Sequence, residues 1–512
     1  MSILQKTSDF LVAIFLLAFL SAAAVWFVHT RGYTLYYGDA EAHLNHARRI
    51  VDSRTPGADE LGVVWLPLPH LLMIPFVTDD RLWRSGLAGA IPSAACFVLS
   101  GALLFASVKA MFGSSAAGFA AAGSLGFNPN LLYLQSTPMN EPIFLSIEMA
   151  LLYCTVRFRQ TQSPLLAIIA GIAAAAGSLT RYEGWFLIPF LAIYILVVAK
   201  RRKLLITALF CVLAISGPIA WLAHNFWYTG DALSFYRGPG SPMAIQGSVD
   251  FPGHHNWAVA WLQFRSVARL VVGRPLLWMA IAGAIGALAR KAIWPLLLLS
   301  LPPVFYILNL HSGASPIFVP TQWPFSYYNT RYGLTMLPLA AFAVAGLIVW
   351  TPERLRVVAV VAVVGASLVP WLTDPRMDNV VTWKESQINS VARRAWTRQA
   401  ADFLRTRYRP GSGVFTTFGD ISGIFRQAGI PLHDTLTWDN WPVWPAAVAR
   451  PELFLREEWA VALGDDPVQS AINRAFSRGP RYTLLKTISV KDAPLLAIYR
   501  RDSQPGAGNE FK

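Results

Sequence analysis

The chain has 512 residues, of which 54% are hydrophobic and only 14% are charged, and its mean hydropathy is +0.42. Soluble domains carry about a quarter charged residues, so this composition excludes an ordinary soluble protein and indicates a polytopic membrane protein. The net charge of +14 fits that class, because Lys and Arg collect in cytoplasmic loops. A nucleic-acid partner is not expected, since no basic patch with interleaved aromatic residues stands apart from these loops.

Eleven apolar runs are long enough to cross a bilayer, at about 10–28, 86–108, 116–135, 142–158, 164–180, 184–199, 204–224, 275–290, 293–310, 333–350 and 356–372. Basic clusters fall between alternate pairs of these runs, at Lys109, Arg157/Arg159, 200–203, Arg290/Lys291 and Arg354/Arg356. A cytoplasmic N-terminus places all five clusters in the cytoplasm, as the positive-inside rule requires. We therefore predict a protein integral to the plasma (inner) membrane, with its N-terminus in the cytoplasm.

This threading predicts two long loops on the extracytoplasmic face, at about 30–85 and 225–274. Residues 65–76 are apolar but interrupted by proline, which indicates a segment at the membrane edge. After Trp371 no further span occurs, and residues 373–512 combine helical stretches at 386–407 and 420–428 with strand-like runs at 414–418, 459–463, 482–489 and 494–499. The predicted fold is a polytopic α-helical membrane protein, with a transmembrane module at 1–372 and a small C-terminal extracytoplasmic α/β domain at 373–512.

The first outer loop carries two acids, Asp39 and Glu41, close to the end of the first span. From Asp39 the apolar residues follow a helical period, which predicts an amphipathic helix on the membrane surface with Asp39 at its start. Ionisable groups beside a bilayer often line a reaction centre. Two other readings remain open: Asp39 is an N-cap, or it binds a divalent metal with His43 and His46, which share its helical face.

A third acid, Glu141, opens a span from the same outer face, where it either complements the helix dipole or works together with Asp39. Arg181, in the sequence Thr-Arg-Tyr-Glu-Gly that ends with Glu183 and Gly184, and Arg331 also lie on that face. The positive-inside rule does not explain outward arginines. Each either snorkels to the interface or binds a phosphate through its two-pronged guanidinium group.

The order of these motifs resembles the GT-C superfamily of integral membrane glycosyltransferases, in particular the branch of the protein O-mannosyltransferases and lipid A aminoarabinose transferases. The motifs are the acidic first loop, Trp-Leu-Pro-Leu-Pro-His ending at His70, the acid Glu141, and Thr-Arg-Tyr-Glu-Gly. The Lys-Pro-Pro motif frequent in that family is Leu-Pro-Leu-Pro here, and a common Lys-Gly pair is replaced by Arg181 to Gly184.

The resemblance implies a sugar donor attached to a polyprenyl phosphate, Asp39 as catalytic base and Glu141 as a second catalytic acid. We expect the remaining polar residues of these motifs to contact substrate, namely Glu41, His70, Arg181, Glu183 and Arg331. The predicted enzyme is an inverting hexosyl- or pentosyltransferase that acts on a glycan, lipid or protein hydroxyl at the extracytoplasmic face. It requires no cofactor, although a divalent metal remains an open alternative.

Two other classes of function fit the composition. A multi-pass transporter or lipid flippase would use intramembrane acids as an ion relay and would show internal repeats. The sequence has almost no acid inside a span, Glu148 being the nearest case, and no repeat. A scaffold that presents 373–512 would leave the outer acids without a role.

Overall fold

The computed structural model describes residues 3–238, 241, 244 and 251–502. The chain forms two compact units. The first unit contains Met1–Thr34, Val63–Leu72 and Gly89–Ile388, and the second contains Leu35–Gly62, Met73–Ala88 and Asn389–Lys512.

The first unit is helical. Its longer helices are Ile3–Thr30, Leu87–Phe112, Ser115–Gly126, Glu141–Thr161, Pro164–Ser178, Glu183–Val198, Lys203–Thr229, Trp257–Val272, Arg274–Ala289, Ile293–Ser312, Met336–Trp350 and Arg356–Leu372. Its shorter helices are Leu68–Val77 (which continues into the second unit), Pro129–Leu134, Ser234–Arg237 and Val381–Asn389, together with 3-10 turns at Thr330–Thr335, Glu353–Leu355 and Met377–Asn379. Ten of the eleven apolar runs predicted as spans each fall mainly on one helix, whereas the run at 116–135 is divided between Ser115–Gly126 and Pro129–Leu134.

Six helices are long and apolar enough to cross a membrane within the described part of the chain, or seven if Trp257–Val272 and Arg274–Ala289 form one bent span. These two helices meet at an angle of 103°. Pro164–Ser178 and Glu183–Val198 are apolar but shorter than a full crossing. The structure therefore confirms an integral membrane protein, whereas the count of eleven spans stays a prediction.

Small residues allow helices of this unit to pack closely. A Cβ on Gly283 or Gly346 would collide with the backbone of the opposite helix, so Arg274–Ala289 and Met336–Trp350 touch along their main chains. A Cβ on Gly184 would likewise collide with the backbone of Gly177. Because lipid tails are as apolar as Leu, such contacts rather than hydrophobic burial hold membrane helices together.

The loop predicted at 225–274 contains more helix than the sequence suggests. Lys203–Thr229 extends into it, and Trp257–Val272 begins where Asn256 caps the first turn by accepting from Val259 N at 3.1 Å. The turn-forming Gly-Pro-Gly near its centre lies largely outside the described residues.

The second unit is an α/β fold. Its helices are Gly38–Arg49, Asp80–Ser85, Val391–Arg405, Ser422–Ala428, Val443–Ala449, Pro451–Phe454 and Pro467–Arg478, with 3-10 turns at Ala58–Leu61 and Leu432–Asp434. Its strands are β1 (Val414–Phe415), β2 (Thr435–Leu436), β3 (Trp459–Leu463), β4 (Tyr482–Ile488) and β5 (Leu496–Arg501).

The sheet order is β2-β1-β3-β5-β4, with β1 parallel to β2 and β3, and β5 antiparallel to β3 and β4. Four of these strands coincide with predicted strand-like runs, and β2 was not predicted. The predicted helix at 386–407 divides at Ser390 into Val381–Asn389 and Val391–Arg405. The structure thus confirms the small C-terminal α/β domain.

The core of the second unit includes residues of the first loop. Leu44, Met73 and Trp83 are fully buried in the same apolar cluster as Trp396 and Phe425. Full burial of each such side chain contributes about 1.5–3 kcal/mol. The structural boundary near 388 therefore differs from the boundary at 372 drawn from the sequence, and the second unit also recruits 35–62 and 73–88.

Candidate active site

Glu141 lies at the first position of Glu141–Thr161 and is buried. Its Oε1 accepts a hydrogen bond from Arg181 Nη1 at 2.9 Å and lies 3.0 Å from Arg331 Nε. One carboxylate oxygen thus contacts two arginines from different parts of the chain: Arg181 lies in the connection before Glu183–Val198, and Arg331 lies in a 3-10 turn. Glu141 therefore does more than complement a helix dipole, because it orients two cations.

Arg181 donates four hydrogen bonds inside the first unit. Nε donates to Glu183 Oε1 at 2.7 Å, and Nη1 donates to Asn140 Oδ1 at 2.5 Å as well as to Glu141. Nη2 donates to the hydroxyl of Tyr306, which donates in turn to Glu183 Oε1. A guanidinium group has five N–H donors, so most of the donor capacity of Arg181 is used within the protein.

Arg331 lies in the 3-10 turn Thr330–Thr335. Its guanidinium carbon is 5.3 Å from the ring centre of Tyr332, which stacks on Tyr306 at a centroid distance of 4.3 Å. Glu141, Arg181, Glu183, Tyr306 and Arg331 are called the arginine–glutamate cluster below. Its two carboxylates and two guanidinium groups balance each other's charge. Removal of any one of them would leave an uncompensated buried charge, which is strongly destabilising.

The turn that carries Arg331 is fixed by Glu385, from Val381–Asn389. Glu385 Oε1 accepts from Asn329 N at 2.9 Å, and Oε2 accepts from Thr330 N at 2.7 Å and from Thr330 Oγ1 at 2.5 Å. Burial raises the pKa of Glu385, while Arg331 and these hydrogen bonds partly offset that rise. Glu385 thus determines the position of the backbone next to Arg331.

A cavity of about 30 Å³ adjoins the cluster, enough for about two water molecules. Its polar lining comes from the cluster, Tyr332, Thr335 and Glu148, and Glu148 is 2% exposed. Glu141 Oε2 and Glu148 Oε1 accept no hydrogen bond from the residues that the structure describes. These two carboxylate oxygens are therefore candidate acceptors for a hydrogen bond from a substrate.

The motif that ends at His70 is anchored to the turn that carries Arg181. Leu68 N donates to Leu179 O at 3.0 Å, and Tyr182 Oη donates to Val64 O at 2.9 Å. His70 is completely buried, and its ring lies 6.3 Å from that of Trp65. This placement favours a packing role for His70 over the predicted substrate contact.

Asp39 belongs to the second unit, in the first turn of Gly38–Arg49, and is half-buried. The N-cap position is Tyr37, so Asp39 is not the capping residue. The helix also does not lie on a surface as predicted, because every residue from Ala40 to Arg49 is buried. Its apolar stripe packs into the core of the second unit rather than onto lipid.

Asp420 is a second carboxylate beside Asp39, in the loop after β1. A Cβ on Gly38 would lie 3.0 Å from Asp420 Oδ1, so glycine permits this approach. Desolvation by the surrounding protein raises the pKa of Asp420, and the negative charges of Asp39 and Glu41 raise it further. The positive charge of Arg393 lowers it.

Glu41 forms a buried ion pair with Arg426. Arg426 Nε and Nη2 donate to its two oxygens at 2.6 and 2.8 Å, and Asn45 Nδ2 donates at 2.9 Å. Burial alone would raise the pKa of Glu41, but Arg426 and Arg393 hold it below its ordinary value. With both oxygens engaged, Glu41 is better placed to stabilise the second unit than to bind substrate as predicted.

In the structure Asp39, His43 and His46 are not arranged as a set of metal ligands. No three His, Cys, Asp or Glu side chains are arranged to hold a metal ion anywhere in the described part of the chain. His46 Nε2 instead lies 2.6 Å from Leu61 O. Burial and the charge of Arg49 hold the pKa of His46 well below its ordinary value. A common helical face therefore does not suffice to predict a metal site, because contacts with the rest of the protein determine where the His46 ring lies.

Several residues of the two units were not foreseen from the sequence, namely Asn140, Glu148, Tyr306, Tyr332, Glu385, Asp420 and Arg426. Asn140 and Tyr332 are neighbours in sequence of Glu141 and Arg331, which is a usable signal. Tyr306 and Glu385 have no such signal, because only packing brings them to the cluster.

Comparison with known proteins agrees with this fold. Residues 82–221 match the sequence profile of the family described as dolichyl-phosphate-mannose-protein mannosyltransferase. The crystal structure of ArnT from Cupriavidus metallidurans bound to undecaprenyl phosphate superposes with a TM-score of 0.57 at 11% identity, covering 93% of this chain and 97% of ArnT. Apo ArnT gives a TM-score of 0.54 at 12% identity with the same coverage. A search of curated proteins finds no significant match.

The fold and the matched segment confirm the resemblance to membrane glycosyltransferases of the GT-C type. Among solved structures, the fold is shared with ArnT over nearly the whole chain. At 11% identity this likeness defines the fold.

Proposed function

We propose that this protein is an integral membrane glycosyltransferase that transfers a sugar from a polyprenyl-phosphate donor to an acceptor hydroxyl, with inversion, at the extracytoplasmic face. The observation that carries the proposal is the arginine–glutamate cluster beside a polar cavity, within a GT-C fold. The donor class is supported by the undecaprenyl phosphate bound to ArnT, a protein of the same fold.

The proposed reaction is a single displacement. Asp39 takes the proton of the acceptor hydroxyl, whose oxygen forms a bond to the anomeric carbon of the sugar. The bond from that carbon to the phosphate oxygen breaks, and the electron pair leaves with the polyprenyl phosphate. A positioned base contributes about 10²–10⁴-fold to such a reaction.

The leaving phosphate needs compensation for its charge, and Arg331 is the proposed contact. It lines the cavity, and its planar guanidinium group matches phosphate geometry. Arg181 is proposed to hold the cluster together, since its donors already serve Glu183, Asn140 and Tyr306. Glu141 orients both arginines through Oε1, which refines the predicted catalytic role to one of positioning.

The proposed neutralisation by arginine requires no cofactor. A divalent metal is the competing proposal for the same charge, and the two are separated by experiment below.

The test uses the purified full-length protein in detergent with a panel of short-chain polyprenyl-phosphate sugars and a mixed set of acceptors. Release of polyprenyl phosphate and appearance of glycosylated acceptor are measured together. We expect coupled release and transfer for at least one sugar, and loss of both in the Asp39→Asn variant. A panel that yields neither product with the folded wild-type protein would contradict the proposal, as would transport of the donor across liposomes without chemical turnover.

A further inference from the structure

Three arginines lie close together at the bend between Trp257–Val272 and Arg274–Ala289. Arg265 and Arg269 are one helical turn apart, and Arg274 opens the following helix. The charges of Arg265 and Arg274 both act on Arg269. The sequence contains no Asp or Glu between Asp250 and Glu353, so the local chain provides no opposite charge.

The guanidinium groups of these three arginines form no hydrogen bond or ion pair with another residue that the structure describes. Arg265 and Arg274 are exposed, and Arg269 is half-buried. Every arginine of the cluster near Glu141, by contrast, is paired with a carboxylate. Three adjacent cations with no carboxylate partner among the described residues repel each other, which favours binding of an anion.

The helix that carries Arg265 and Arg269 is held by contacts with its neighbours. Val271 O accepts from Asn128 Nδ2 at 2.8 Å and from Asn130 Nδ2 at 3.2 Å, and Gln322 Nε2 donates to Ser266 Oγ at 2.5 Å. A Cβ on Gly333 would lie 2.9 Å from the Val267 carbonyl, so the 3-10 turn packs against this helix. The backbone at Arg265 and Arg269 is therefore held in place before any ligand binds.

Large apolar side chains are exposed on the same helix. Trp257 and Trp261 are each 53% exposed, and Leu262 is 44% exposed. Tryptophan is enriched where a protein meets lipid head groups, and an amphipathic helix with basic and aromatic residues binds anionic bilayers. Free phosphate would make no use of these apolar side chains, whereas a lipid uses both them and the arginines.

We infer that the Arg265–Arg269–Arg274 face is a binding site for the phosphate head groups of anionic phospholipids. Arginine suits this ligand, because its guanidinium group donates two parallel hydrogen bonds to phosphate oxygens. The inference does not depend on the proposed glycosyl transfer. In the predicted topology these arginines also lie on the outer side, where the positive-inside rule gives no reason for them.

The test titrates short-chain phosphatidylglycerol into the full-length protein in neutral detergent and detects bound lipid by native mass spectrometry. Arg265→Gln, Arg269→Gln and Arg274→Gln are combined in one variant. We expect its affinity for phosphatidylglycerol to fall at least about tenfold, since each basic residue contributes to attraction of anionic lipid. Short-chain phosphatidylcholine should bind both proteins alike.

The matched control removes three exposed charges from the second unit, as Arg398→Gln, Arg409→Gln and Lys491→Gln. It should bind phosphatidylglycerol as the wild type does. A variant with lysine at all three positions keeps the charge and should bind at an intermediate level. Unchanged melting temperatures establish that the variants are folded.

Two results would overturn the inference. Wild-type affinity in the triple glutamine variant, when that variant is folded, means that the arginines do not bind the lipid. Inorganic phosphate that competes with phosphatidylglycerol at equal concentration means a site for a free anion. If the glutamine variant does not fold, the lysine variant decides, since wild-type affinity there removes any role for the guanidinium fork.

Discussion

The role of a residue depends on the atoms that its side chain contacts. Asp39 and Glu41 are two positions apart on one helix, yet Glu41 is buried against Arg426, whereas Asp39 is half-buried and has Asp420 as a like-charged neighbour. A fully buried, paired carboxylate stabilises a fold, whereas a half-buried carboxylate is accessible to an acceptor hydroxyl. Asp39 is therefore the residue at which chemistry is tested first.

Asp39→Asn should lower turnover at least about a hundredfold, the usual contribution of a general base. The size of the side chain is kept, and the loss of a negative charge from the first helical turn costs only about 0.3–1 kcal/mol. The release assay for polyprenyl phosphate and the melting temperature are measured together. Normal turnover in a folded variant would return Asp39 to a purely structural role.

Arg331→Lys should impair turnover strongly, because a point charge cannot reproduce a two-pronged contact with phosphate. A chelator should have little effect on the wild-type enzyme if arginine neutralises the leaving group. Initial rates with and without chelator check this. Complete loss of activity in chelator, restored by added divalent ion, would instead favour a metal.

Glu41→Gln should destabilise the protein in a pH-dependent way. The folded-state pKa of Glu41 is held below its ordinary value of 4.5, so its contribution to stability is present above that pH and declines as pH falls toward the folded-state pKa. The variant breaks a buried ion pair, a change that costs about 3–5 kcal/mol when one partner is lost. The difference in melting temperature from wild type should therefore be large at pH 7 and shrink under acid conditions.

A constant difference across this pH range would mean that another group controls the stability of the helix. A folded and stable variant with raised KM would restore the predicted substrate role of Glu41.

At the scale of elements, short turns position the charged groups of the first unit. The turn Thr330–Thr335 carries Arg331 and is held by Glu385, from a helix distant in sequence. The turn before Glu183–Val198 carries Arg181, and Gly184 lets it approach Gly177. The helices thus supply Glu141, Glu183 and Tyr306, and the connections between helices supply the two arginines.

Glu385→Gln should lower kcat/KM about tenfold or more, although Glu385 lines no part of the cavity. An amide has one acceptor oxygen in place of two, so the hydrogen bonds to Asn329 N and Thr330 N cannot both be kept. If Glu385 acts by positioning Arg331, then Glu385→Gln should lower kcat/KM little further in a protein that already carries Arg331→Lys, since the effects of coupled residues are not additive. The double-variant cycle on kcat/KM measures this, and full additivity would sink the positioning role.

At the scale of the whole molecule, the basic clusters and the composition of 373–512 predict which segments face the cytoplasm. A cysteine introduced near Arg201 should be shielded from membrane-impermeant thiol reagents in intact cells, and one at an exposed position such as Arg398 should be labelled. The native cysteines, Cys96, Cys154 and Cys211, are replaced first. Equal labelling at both positions would refute the predicted topology.

Local patterns in the sequence predicted the class of protein and the position of most helices and strands. Those signals are local: a run of apolar residues, a helical or alternating period, and the sign of the charges between runs. It also pointed to Glu141, Arg181, Glu183 and Arg331, because a charge near a bilayer is rare enough to be noticed.

The contacts that those residues make follow from the packing of the folded chain. It placed one oxygen of Glu141 between two arginines, added Tyr306 and Glu385, and paired Glu41 with Arg426. It also assigned 35–62 and 73–88 to the α/β unit and directed the ring of His46 to the carbonyl of Leu61. These outcomes depend on contacts between residues far apart in the chain. Local periodicity does not encode such contacts, so the partner of each polar side chain is selected by side-chain packing.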